Sequence, residues 1–146
     1  MRKLFQLTVV LSLCVLWFST SEGEDWRFFA RNIDFYYYDN GNINQPYDKF
    51  ENIVSVWQKI IYQESSVNRI SDYLGPKYAD LAESISLIEI DCSTKNAWTK
   101  SVVFYDSKDR IIDTTCKTKE NWKLITPETP LDKLYKSVCF QKKSAK

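Results

Sequence analysis

The chain has 146 residues, with 20 Lys and Arg against 19 Asp and Glu, a formal net charge of +1, and no histidine. A balance this even gives no overall basic excess of the kind nucleic acid needs. The missing histidine removes serine–histidine–acid sets and histidine-activated cysteines, and three glycines are too few for a Gly-rich phosphate loop.

Arg2 and Lys3 precede an apolar run from Leu4 to Phe18, and Ser19, Thr20, Ser21 and Gly23 follow. A charged start, an apolar middle and a small-residue end are the pattern of a secretory signal peptide. It is expected over residues 1–21, which leaves a domain over 22–146. A spanning helix wants about 20 apolar residues, whereas this run is shorter and is interrupted by Gln6, Thr8 and Ser12. Cys14 follows Leu13, not the small residue that lipid attachment requires. The expectation is an exported chain with no membrane span after cleavage.

The aromatic run "DWRFFARNIDFYYYDNGNI" favours two short strands, near Trp26–Asn32 and Phe35–Tyr38. The period of two sends alternate tyrosines to the core and the middle one to the other face. "DNGN" at Asp39–Asn42 reads as a turn. It lacks the alternating oxygen ligands and closing glutamate of a calcium loop. A strand over Ile53–Tyr62 is apolar on both parities, so both its faces are covered. Residues 65–82 predict a short helix around Asn68–Leu74, broken at Gly75-Pro76, with one more turn after it.

Strands over Ile85–Cys92, Ala97–Tyr105 and Ile111–Cys116 follow, joined by loops short enough for antiparallel hairpins. "ENWKLI" offers a last edge strand. Thr129 then caps a helix with Pro130 at its first position and Asp132 three after the cap. Leu131, Leu134, Tyr135 and Val138 line one face of it. The fold class is therefore α+β: one antiparallel sheet of about six strands with a C-terminal helix packed on one face.

On the strand of "SLIEIDC", Ile88, Ile90 and Cys92 share a face and Glu89 and Asp91 point the other way. Of the three pairings open to Cys92, Cys116 and Cys139, Cys92–Cys139 is favoured because it staples the last helix to the sheet. Glu89 and Asp91 are the nearest thing to a catalytic carboxylate pair. An antiparallel sheet with a solvated outer face accounts for them without chemistry. Widely spaced cysteines without histidine make no zinc site, so no metal, cofactor or catalytic residue is assigned. Trp98, Tyr36 and Tyr38 become contact candidates if they lie outside the core.

Taken in order, "FYYYD", "IVSVWQKIIY", "ISLIEIDC", "TKSVVFYD" and "ITPETPLDKLYKSVC" resemble the bacterial surface-adhesin protein E family, from Trp26 to Cys139. The resemblance implies a sheet whose C-terminal helix is tethered by a disulfide, in agreement with Cys92–Cys139. It also implies a non-enzymatic binding module at the bacterial cell surface or in the periplasm, whose partner is a protein, either of the host matrix or of the envelope, and it allows a homodimer. The alternative is a periplasmic accessory or structural protein. Three departures stand out: Cys14 does not suit lipid attachment, Asp109 occupies a turn position that usually carries glycine, and Cys116 is extra. Cys116 is read as a buried free thiol, an interchain link or a competitor for the other cysteines.

Overall fold

The computed structural model describes residues 25–44 and 52–140. The expected signal peptide, Cys14 and the terminal "QKKSAK" lie outside them. Six strands form an antiparallel meander whose spatial order is the chain order: β1 (Trp26–Arg31), β2 (Phe35–Asp39), β3 (Ile53–Ile61), β4 (Leu81–Asp91), β5 (Asn96–Asp106) and β6 (Ile111–Cys116). A two-residue strand, β7 (Lys123–Leu124), pairs with the start of β5. Helix α1 (Glu64–Leu74) and a 3₁₀ turn (Pro76–Tyr78) fill the β3–β4 connection, and α2 (Pro130–Phe140) closes the described chain. The expected α+β class and single sheet are what the chain adopts.

The alternation read from the sequence builds the core. Val54 pairs with Ile90 and Val56 with Ile88 across β3 and β4, and Ile90 pairs with Ala97 on β5. Together with Tyr38 they make an apolar floor on which α2 lays Leu134 and Val138, all of them buried. Tyr36 and Tyr38 stand edge-on to Phe29, while Tyr37 turns to the opposite face and meets Phe28 at 5.7 Å. The period of two therefore holds through the tyrosine run.

Helix α2 is fixed at both ends. At its last turn, Cys139 is disulfide-bonded to Cys92 just past the end of β4, with the Cα atoms 5.7 Å apart. At its first turn, Thr129 Oγ1 accepts the Asp132 N–H, and Asp132 Oδ2 accepts the Glu128 N–H (both 3.2 Å). This is close to the capping box expected there. Asp132 is 1% exposed, and its two oxygens meet the Lys95 and Lys136 ammonium groups at 2.8 Å each. Lys95 comes from the β4–β5 turn, so the ion pairs tie helix to sheet.

Hydrogen bonds from Lys136 and then Lys95 hold the Asp132 carboxyl well below the usual carboxylate range. A folded pKa below the unfolded one stabilises fully above the unfolded value, near 3.9, and that contribution is lost as pH falls through the folded value. Asp132→Asn is expected to flatten the acid limb of the stability–pH curve below pH ~4. Urea unfolding across pH 2–6 checks this; an acid limb identical to that of the parent would rule the ionic tie out.

Helix α1 begins at Glu64, four residues before the expected Asn68. Gln63, at its N-terminus, supplies no side-chain cap. Asp34, from the β1–β2 turn, accepts the Gln63 N–H and the Ser66 hydroxyl, both at 2.9 Å, and so caps the helix from a distant part of the chain. The helix ends as expected at Gly75, whose φ of +111° suits glycine and whose N–H bonds Ser71 O.

Candidate functional site

The face of the sheet opposite α2 carries the residues singled out for chemistry. Glu89 is not on a solvated face, as the alternation alone implied: it is 0% exposed. Its Oε2 accepts the Trp98 Nε1–H at 2.9 Å and its Oε1 meets Lys100 Nζ at 2.8 Å. Both partners come from β5, two positions apart and therefore on one face. Leu87 pairs with Ser101 and Ile88 with Thr99, so Lys100 is an extra residue in β5, a β-bulge beside the cluster. Trp98 in turn packs on Trp122, with ring centroids 6.2 Å apart.

Asp91 does something else. Its Oδ1 accepts the Ser93 N–H, the Ser93 hydroxyl and the Thr94 N–H at the β4–β5 turn. Burial pushes its pKa up, but these bonds from Ser93 and Thr94 outweigh it and hold the carboxyl below its ordinary value. Glu89 and Asp91 are thus neither a pair nor partners in one site. One is committed to an indole and an ammonium, the other to a turn.

Of the contact candidates, Trp98 and Tyr38 are buried, which removes both, and Tyr36 is half-buried against Phe29. Aromatic side chains that reach solvent include Phe28 on β1, Tyr73 on α1 and Phe140 on α2. Phe28 is exposed beside Tyr37, Arg31 stacks over Phe35 at 4.6 Å, and Lys59 stacks over Trp26 at 4.4 Å. Asp39 is buried and gathers its own turn, accepting the Asp25 and Gly41 N–H groups and Asn42 Nδ2. Asp109 takes φ +59° in the β5–β6 turn, as its place in the motif required. The buried Asp106 accepts the Lys108 and Arg110 N–H groups and the Arg110 side chain, which fixes that hairpin.

Cys116 closes β6, half-buried opposite Ser101. It is disulfide-bonded in the full chain, which corrects the free-thiol alternative for that chain. Among the described residues no cluster of acidic or cysteine side chains could hold a metal ion, and no helix is long and apolar enough to cross a membrane.

Residues 26–140 match the family described as surface-adhesin protein E. No curated protein matches the chain. Among solved structures, Haemophilus influenzae protein E is similar at a TM-score of 0.55 and 16% identity, over 87% of this chain and 92% of that one. Protein E from non-typeable Haemophilus influenzae gives 0.52 and 15%, over 86% and 82%. At such identity the likeness is one of fold: a sheet of this topology with its helix on one face.

Proposed function

From the fact that the chain belongs to the surface-adhesin protein E family, we propose that it is an exported, non-enzymatic binding module of the bacterial surface that contacts a protein partner. The observation that carries the reading is the extent of the match, which runs from the first strand to the last helix. The residue chemistry supports it. The buried carboxylates each serve an internal structural contact, and no described pair of them converges on a common substrate position. Residues 1–21 are proposed as the cleaved leader and 22–146 as the binding domain.

The second reading is a periplasmic accessory protein. It is favoured by one feature, Leu13 before Cys14, which gives no lipid attachment point for an outer-membrane anchor. Protease treatment of intact and outer-membrane-permeabilised cells separates the two. Digestion on intact cells is the expected result. Protection until permeabilisation would overturn surface exposure and direct the search to envelope partners.

A further inference from the structure

The near-neutral total charge hides a segregation. Residues 22–91 carry six Lys and Arg against thirteen Asp and Glu, net −7, whereas residues 92–146 carry twelve against six, net +6. Because the sheet is a meander, the part of this division that falls on the described sheet becomes a division in space: the described residues up to 91, with β1–β4, carry five Lys and Arg against nine Asp and Glu, and residues 92–124, with β5–β7, carry seven against four. Much of the basic excess on the sheet gathers along one ridge.

The connection from β6 to β7 runs back along the free side of β5. Lys117 N–H bonds Lys100 O at 2.8 Å, and Lys123 pairs with Ala97. Those two points are three positions apart on β5, about 10 Å of strand. Lys117, Lys119 and Lys123 are exposed and make no ion pair among the described residues. The one acid within the segment, Glu120, is turned to the Trp122 Nε1–H at 3.0 Å. That bond and the packing on Trp98 hold the half-buried Trp122 ring at the same sheet edge, on the Glu89 side, while Lys123, paired with Ala97, belongs to the α2 side. The nearby acids Glu89 and Asp132 are each buried against lysines and project no free negative charge here.

We infer that this ridge, Lys117, Lys119, Trp122 and Lys123, is a docking surface for a sulfated polysaccharide. A linear polyanion needs spaced cations and released counterions, not a pocket. The fixed indole offers an apolar platform for a sugar ring along the same sheet edge as the charges. An acidic peptide adding as a strand fits less well. It needs a run of open backbone, and the ridge is irregular from 117 to 122, with β7 only two residues long. The choice of a sulfated ligand, not a phosphorylated one from the cell's own envelope, rests on the surface reading above.

The test uses protein purified from cells expressing the full chain, with immobilised heparin as the probe. The parent is expected to bind and to elute with salt. The triple variant Lys117→Gln/Lys119→Gln/Lys123→Gln should bind at least tenfold more weakly, with a shallower salt dependence. Lys142→Gln/Lys143→Gln/Lys146→Gln removes the same charge from the terminal run and should bind like the parent. All the ridge lysines replaced are exposed, so an unchanged melting midpoint is expected to exclude misfolding.

Absent heparin binding, or equal loss in both triple variants, would overturn the inference. So would tighter binding of polyglutamate, of duplex DNA or of phosphorylated envelope polysaccharide. Normal heparin binding with new self-association of the ridge variant would also overturn it, because the lysines would then only guard a sheet edge. Binding to heparin in vitro does not depend on where the cell places the protein, so this result and the protease result fail separately.

Discussion

Cys139→Ser should lower the unfolding free energy by about 2–5 kcal/mol and release the last turns of α2 first. The bridge to Cys92 spans 47 positions of sequence. By chain entropy, a loop of that length is worth up to ~4 kcal/mol. Contacts within the helix do not replace it. Leu134 and Val138 are buried on the sheet, but Phe140 beyond them is exposed and Lys136 and Lys133 face solvent. Near the sulfur end, the bridge is accompanied by a long hydrogen bond of 3.4 Å from the Tyr135 hydroxyl to Cys92 O. Denaturant unfolding of parent and variant measures the loss. Hydrogen exchange should show amides 136–140 opening well before those of β3–β5. An unchanged midpoint would mean that Leu134, Val138 and the Asp132 ion pairs dock the helix unaided. Non-reducing peptide mapping should recover Cys92 and Cys139 linked; either of them found on Cys116 would sink the pairing.

This staple was legible because two local signals agreed. Strand parity put Cys92 on the face of Ile88 and Ile90, and helical period put Cys139 beside Val138. The same kind of signal gave the strands, the Gly75 break and the Thr129 cap. The start of α1 was not legible, for an equally physical reason. Its cap is Asp34, which lies 29 residues before Gln63 in the chain. No window around Ser65 contains that carboxylate. The ionic tie at Asp132 was half legible: its position three after a cap was visible, but Lys95 arrives from another turn.

The outer face shows where alternation stops being enough. A strand pattern says which side Glu89 is on, but not what else is there. Its burial depends on Trp98 and Lys100 of β5, and which residues stand opposite it is a feature of pairing between two strands. A signal for it did exist in the sequence: Trp98 and Lys100 lie at alternate positions of the next strand, an indole donor and a cation opposite an acid. Reading it required the register, which the hairpin loop alone left open.

The Glu89 cluster yields the other large effect, and its two ends should respond unequally. Lys100→Met leaves a carboxylate that is 0% exposed with only the Trp98 N–H to face. An uncompensated buried charge costs about 3–5 kcal/mol. Glu89→Leu leaves instead an ammonium whose side chain is 29% exposed and can turn to water. Its main cost is then the orphaned indole N–H, about 1–3 kcal/mol. The double variant Glu89→Leu/Lys100→Met removes both charges in side chains of similar size. Buried ion pairs replaced in this way are often neutral or stabilising, so the double variant should be more stable than Lys100→Met alone. Urea unfolding of the four proteins at one pH forms the complete cycle. A coupling near zero, or equal losses in the two single variants, would show that Glu89 is solvated in solution and that the cluster does not tie β4 to β5. A large coupling with the predicted asymmetry would make the buried carboxylate a structural anchor beneath the lysine ridge. Loss of heparin binding on replacing Lys117, Lys119 and Lys123 could then be assigned to the ridge, because the anchor that holds Trp98 against Trp122 would be intact.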